Sequence, residues 1–132
     1  NEYKTISAIN GASVSHAANS VVFSTVFNPT VQTLTDGATI IFNVSSGGNA
    51  VVTLAGTGRT LSITNPVAGY TYQVRIIQGS GGGKTIITWP TNTKWPDNGT
   101  VITLSATAGE YDIVNFSYDG TNFYASYNND YN

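Results

Sequence analysis

The sequence predicts an all-β domain. Short runs rich in Val, Ile, Thr, Tyr and Phe recur roughly every ten residues, Gly, Asn or Asp punctuates the gaps, and helical periodicity is missing. A chain of 132 residues has the length of one domain. This spacing is that of an antiparallel β-sandwich, jelly-roll-like in its many short strands.

Taken in order, residues 1–30 read as an N-terminal arm with the first strand, and residues 31–132 as the sandwich domain. Asn1–Ala18 is Ser/Ala/Asn-rich and reads as a connecting arm, followed by a strand near Val21–Phe27. Further strands are expected at Val31–Thr35, Thr39–Val44, Ala50–Ala55, Thr60–Thr64, Tyr70–Gln78, Lys84–Trp89, Val101–Ser105, Tyr111–Tyr118 and Asn122–Tyr127. No repeat is evident, which disfavours a solenoid or propeller.

Two hairpins carry side-chain expectations. Asp119-Gly120 supplies the residues of a two-residue turn, which sets Tyr118 opposite Thr121, Phe116 opposite Phe123, Val114 opposite Ala125 and Asp112 opposite Tyr127. One face of that hairpin is then apolar, and Asp112 falls on it, where a carboxylate must find partners. The second hairpin joins Tyr72–Gln78 to Lys84–Trp89 through Gly79-Ser80-Gly81-Gly82-Gly83, a loop that needs outside contacts to become ordered and is expected at an exposed end.

Composition narrows the function. Charged residues make up 9% of the chain and the net charge is −2, which argues against nucleic acid as a partner, because that surface requires a dense Lys/Arg footprint. No apolar run approaches the roughly 18 residues of a membrane span, so membrane insertion is not expected. Cys is absent, which excludes disulfides and thiol chemistry. Neither a metal nor another cofactor is expected.

Motifs that suggest catalysis have simpler explanations. Gly83-Lys84-Thr85 lacks the Gly six positions before the Lys that a phosphate loop needs, since that position is Gln78. Gly56-Thr57-Gly58-Arg59-Thr60-Leu61 has Leu61 where a dinucleotide fingerprint needs Gly. His16 is the single histidine and lies in the arm, so neither a serine-type triad nor a multi-histidine metal site is built around it. Asp97, Glu110 and Asp112 could serve glycoside hydrolysis, but nothing in the sequence fixes their separation, and a non-catalytic reading ranks ahead. The Asp36-Gly37, Asp97-Asn98-Gly99 and Asp119-Gly120-Thr121-Asn122 segments offer oxygen ligands of the kind Ca²⁺ takes, yet turns require the same residues.

The aromatic residues are more informative. Trp89-Pro90 and Trp95-Pro96 bracket Thr91-Asn92-Thr93-Lys94, and Pro confines that stretch to a loop or edge. Exposed aromatic rings beside Asn and Asp suit carbohydrate, because ring faces stack on sugar C–H groups while amides and carboxylates read hydroxyls. The candidate carbohydrate-binding residues are Trp89, Trp95, Asp97, Asn98, Tyr118 and Tyr124. The same rings could equally fill a core or a subunit interface.

From Val31 to Tyr127 the chain also resembles a β-rich module of bacteriophage virion appendages, the tail-fibre, head-fibre and receptor-binding proteins. The resemblance rests on Thr33-Leu34-Thr35-Asp36-Gly37-Ala38-Thr39-Ile40, Leu61-Ser62-Ile63-Thr64-Asn65-Pro66-Val67-Ala68-Gly69-Tyr70-Thr71-Tyr72, Lys94-Trp95-Pro96, Asp112-Ile113 and Tyr118-Asp119-Gly120-Thr121-Asn122-Phe123-Tyr124, in that order. It implies a β-sandwich on the virion surface, frequent homotrimerisation, attachment to bacterial surface glycans and no catalytic residues. Polyvalent display would let modest single-site affinity suffice, and three-fold packing would bury Ile77, Ile87 and Trp89. Two alternatives stand beside it. One is a monomeric carbohydrate-binding module of a polysaccharide-degrading enzyme, and the other a purely structural trimerisation or capsid-decoration module.

Overall fold

The computed structural model describes residues 13–17, 20–24 and 30–132, and their regular structure is almost entirely β. Strands β1 (Ser13–Ala17) and β2 (Ser20–Ser24) pair antiparallel with one another, Ser13 opposite Ser24. The remainder of the expected arm Asn1–Ala18, and the end of the expected strand Val21–Phe27, lie outside the described residues.

From Val31 onward the chain alternates between two sheets. Strands β3 (Val31–Thr33), β5 (Asn49–Leu54) and β7 (Thr71–Gln78) join one sheet, and β4 (Thr39–Asn43), β6 (Arg59–Thr64) and β8 (Ile86–Thr88) the other. Within each set the pairing is parallel, so the segment winds as three stacked coils. The larger sheet is completed by β9 (Thr93–Lys94), β10 (Tyr111–Tyr118) and β11 (Phe123–Tyr131), in the order β3-β5-β7-β10-β11-β9.

The all-β expectation holds, but antiparallel pairing in the body is confined to β7–β10 and β10–β11. The parallel coils are not an internal repeat of the sequence. Register partners Val31, Asn49 and Gln73 are 18 and 24 residues apart, and Thr39, Thr60 and Thr88 are 21 and 28 apart, so the coils have no constant period to detect.

The two sheets bury a common core. Ile40, Phe42, Leu61 and Ile86 from the smaller sheet join Val52, Leu54, Val74, Ile76, Val114 and Phe116 from the larger. Burying one such side chain contributes roughly 1.5–3 kcal/mol. Phe42 meets Tyr72 edge-on, with ring centroids 6.4 Å apart. Strict alternation along β7 sends Tyr72, Val74, Ile76 and Gln78 inward and leaves Thr71, Gln73, Arg75 and Ile77 on the outer face.

The glycine-rich segment does not close a hairpin, because β7 and β8 lie in different sheets. It is fixed by outside contacts, as expected, although Gly82 is buried. Gly79 N–H donates to Leu54 O (3.0 Å) and Gly83 N–H to Ala106 O (2.8 Å). The buried Gln78 amide donates to Lys84 O (2.9 Å) and accepts from Lys84 N–H (2.8 Å), standing in for a missing backbone partner. Glycine is required by space: a Cβ at Gly82 would stand 2.1 Å from Ala106 O, and one at Gly79 2.2 Å from Leu54 O.

Val101–Ser105 forms no strand, yet Ile102 and Ser105 are buried. The Ser105 backbone is used by a side chain instead of a ladder. Fully buried Asp112 accepts Ser105 N–H at Oδ2 (2.9 Å) and Ser105 Oγ–H at Oδ1 (2.6 Å). Asp130 N–H lies 2.9 Å from Ser105 Oγ and 3.3 Å from Asp112 Oδ1, tying β11 to the same group. Asp112 thus has the partners a core-face carboxylate requires. The register of this hairpin puts Val114, not Asp112, opposite Tyr127, and a bulge between Tyr111 and Ile113 leaves Asp112 without a paired residue on β11.

The β10–β11 hairpin forms with a register two residues from the expected one. Tyr118 faces Phe123, Phe116 faces Ala125 and Val114 faces Tyr127. The cause is Asp119, whose Oδ1 accepts Thr121 N–H (2.8 Å) and Asn122 N–H (2.6 Å), closing a four-residue turn in which only Gly120 has positive φ. A shift of two preserves facing, so Val114, Phe116, Phe123 and Ala125 remain buried together.

Candidate functional site

The structure divides the six candidate residues between two faces of the β9–β11 region. Trp89 and Trp95 meet edge-on at 5.0 Å and both lean on Phe116, at 6.3 and 6.4 Å, while Trp95 also meets Tyr127 at 6.1 Å. Both indoles are half-buried against the core, so their faces are largely occupied by packing. The expected edge is present: β9 pairs in parallel with β11, Thr93 beside Phe123 and Lys94 beside Tyr124, and the prolines flank it.

Tyr118 also belongs to the inner side. Its ring stacks on Phe123 at 4.6 Å, and its hydroxyl donates to Gly120 O at 2.8 Å. Asp97 and Asn98 are exposed in the turn Pro96–Gly99, both with left-handed backbone (φ 51° and 59°), and Thr100 Oγ1–H donates to Asp97 O at 2.7 Å. Among the described residues, no group of three or more His, Cys, Asp or Glu side chains converges as metal ligands.

Tyr124 stands apart on the outer face, 50% exposed. Its hydroxyl donates to Asp119 Oδ2 at 3.1 Å, and the other oxygen of that carboxylate is held by the turn N–H groups. Hydrogen bonds from the Asn122 and then the Thr121 backbone hold the Asp119 carboxyl below the usual carboxylate range. Tyr124 is pushed above the usual tyrosine value, first by its hydrogen bond to Asp119 and then by that group's charge. The result is an aromatic face held from one end by an ionised, turn-locked carboxylate.

Register places further polar groups beside this ring. Thr71, Ser117, Tyr124 and Lys94 form one row across β7, β10, β11 and β9 on the outer face. The adjacent row holds Asn49, Gln73, Asn115 and Ser126, with Gln73 Nε2–H donating to Asn115 Oδ1 at 3.0 Å. Lys94 and Asp119 were not among the residues the sequence singled out for binding. Asp119 carried a turn signal and the oxygen ligands of a Ca²⁺-type loop but no sugar-binding signal, and Lys94 comes beside Tyr124 through a long-range parallel pairing that leaves no local mark. A separate open groove of about 450 Å³ runs along β3 and β4, lined by Gln32, Leu34, Asp36 and Ile41 among others. At its end Arg59 makes a two-pronged contact with Asp36, at 3.1 and 2.6 Å.

No protein family, curated protein or solved structure matches the chain.

Proposed function

We propose that this chain is a non-catalytic module of a bacteriophage virion appendage, a tail or head fibre, that recognises carbohydrate on the bacterial surface. The observation that carries the reading is Tyr124. A half-exposed ring, fixed at its hydroxyl by Asp119 and bordered by hydroxyl and amide side chains, has the chemistry to stack on a sugar and read its hydroxyls. The ordered set of motifs that resembles phage appendage modules supports the same reading, as does the all-β architecture. Such a module works on the virion surface, as a homotrimer whose three sites act together.

The test is binding to a broad glycan array and to whole cells of candidate hosts. Retention on both by the wild-type chain is expected, and blank results on both would sink the proposal.

A second reading has its own observation. Ile41 and Ile87, on the smaller sheet, are 58% and 70% exposed, an arrangement suited to subunit packing in a purely structural trimerisation or decoration module. Light scattering after gel filtration distinguishes the readings together with the array. A concentration-independent trimer with no glycan ligand favours the structural module, a trimer with a ligand the fibre, and a monomer with a ligand the enzyme-borne carbohydrate-binding module.

A further inference from the structure

The outer face of the larger sheet carries two cations that no carboxylate among the described residues pairs with. Arg75 projects outward from β7, and Lys94 shares the outer row with Tyr124 on β9. Among the described residues the ion pair is Arg59 with Asp36, and neither Arg75 nor Lys94 has a carboxylate within 4.0 Å. Three of the acidic groups are committed elsewhere. Asp112 is buried on Ser105, Asp36 pairs with Arg59, and both oxygens of Asp119 are engaged by its own turn and by Tyr124.

The surface between the two cations spans four neighbouring strands, β7, β10, β11 and β9, a breadth suited to an extended chain. Arg75 and Lys94 are separated by three strand spacings and four residues of strand, which places them roughly 20 Å apart along a diagonal. That diagonal crosses the Gln73–Asn115 amide pair and ends on the Tyr124 ring. At its other end the Arg75 guanidinium lies over the Tyr111 ring, 5.5 Å from the centroid, and Tyr111 stacks on Tyr131 at 5.1 Å. Arg75 is therefore held against the sheet, not free to sweep through solvent.

We infer that the ligand of this face is an acidic polysaccharide, a polymer carrying repeated carboxylates, laid diagonally across β7, β10, β11 and β9. Arg75 and Lys94 pair with two acidic groups several sugar units apart, Gln73 and Asn115 face the intervening hydroxyls, and Tyr124 stacks under one ring. This rests on the reading that the chain binds glycans, and adds the charge class and the path of the polymer.

The experiment measures binding of the full chain to alginate, hyaluronate and polysialic acid, with dextran and mannan as uncharged controls, at low and high salt. The expected result is acidic binding that weakens with salt. Lys94→Gln and Arg75→Gln should each lower it about three- to five-fold, the size of one exposed charge contact, and Arg75→Lys should retain most of it. Unchanged circular dichroism and melting confirm that each variant is folded. Acidic binding that ignores both salt and the doubly substituted variant, or binding confined to neutral glycans, overturns the inference and leaves glycan recognition standing. No binding to these polymers, to the array or to host cells overturns both.

Discussion

Tyr124 on β11 donates its hydroxyl hydrogen to Asp119 Oδ2 at 3.1 Å, while the turn preceding β11 grips the other oxygen of the same carboxylate. One side chain thus sets both the register of the hairpin and the orientation of the exposed ring. The pair has a defined pH response. Asp119 has a folded-state value below its unfolded one, so its contribution to stability is present above the ordinary carboxylate range and is lost as pH falls through the lowered value. Tyr124 behaves oppositely, contributing below the ordinary tyrosine range and losing the contribution as pH rises through its raised value. Side-chain NMR titration should place the Asp119 midpoint below that of free aspartate. Tyr124→Phe should raise it only part of the way, because the Asn122 and Thr121 backbone bonds are the larger causes. A complete return to the ordinary value would contradict this account.

Asp112 is the buried carboxylate on which Ser105 and Asp130 converge. Asp112→Ala leaves the buried Ser105 N–H without its acceptor and the Ser105 O–H with Asp130 Oδ1 alone, and should cost about 3 kcal/mol. Asp112→Asn keeps one acceptor oxygen and should cost about 2 kcal/mol. Denaturant unfolding measures both, and a change within about 0.5 kcal/mol, as at an ordinary surface site, would show that the cluster is not structural.

Gly82 and Gly83 share a left-handed backbone, at φ 60° and 63°, but only Gly82 is crowded, with Ala106 O 2.1 Å from the position of a Cβ. Gly83→Ala should therefore cost about 1–2 kcal/mol from backbone conformation alone. Gly82→Ala carries that cost plus a steric one and should exceed it by about 2 kcal/mol or more. Equal melting temperatures for the two variants would show that the glycine segment does not pack as described.

Trp95 touches Trp89, Phe116 and Tyr127, so Trp95→Ala removes packing before it removes any sugar contact. A loss of about 2–3 kcal/mol is expected for a half-buried ring, below the value for a fully buried one. Glycan binding of the folded variant should persist. Full stability combined with lost binding would return Trp95 to the ligand site.

Much of the element order was legible because Val/Ile/Thr runs alternate with turn residues whose backbone needs are local. The edge position of Thr93–Lys94 followed from its flanking prolines, and Asp112 from the facing of β10. The parallel coils were not legible, because each strand pairs with one two elements away at unequal separations. The Asp119 turn was misjudged by two residues because its side chain, not its backbone, closes the loop. In the candidate site, Tyr124 was visible as a residue type. Its neighbours Lys94, Ser117 and Thr71 reach it through cross-strand pairings. The tryptophans were ambiguous, since a ring that stacks on sugar and one that packs on Phe116 have the same sequence.

The most direct test compares three chains on the same host cells and glycan array: the wild type, Tyr124→Ala and Tyr70→Ala. Tyr70 is 62% exposed but lies off the outer row, its ring stacked with inward-facing Tyr72 at 6.4 Å. Wild type and Tyr70→Ala should bind alike while Tyr124→Ala loses at least ten-fold, about 1.4 kcal/mol. Equal binding by all three folded chains would contradict the proposal.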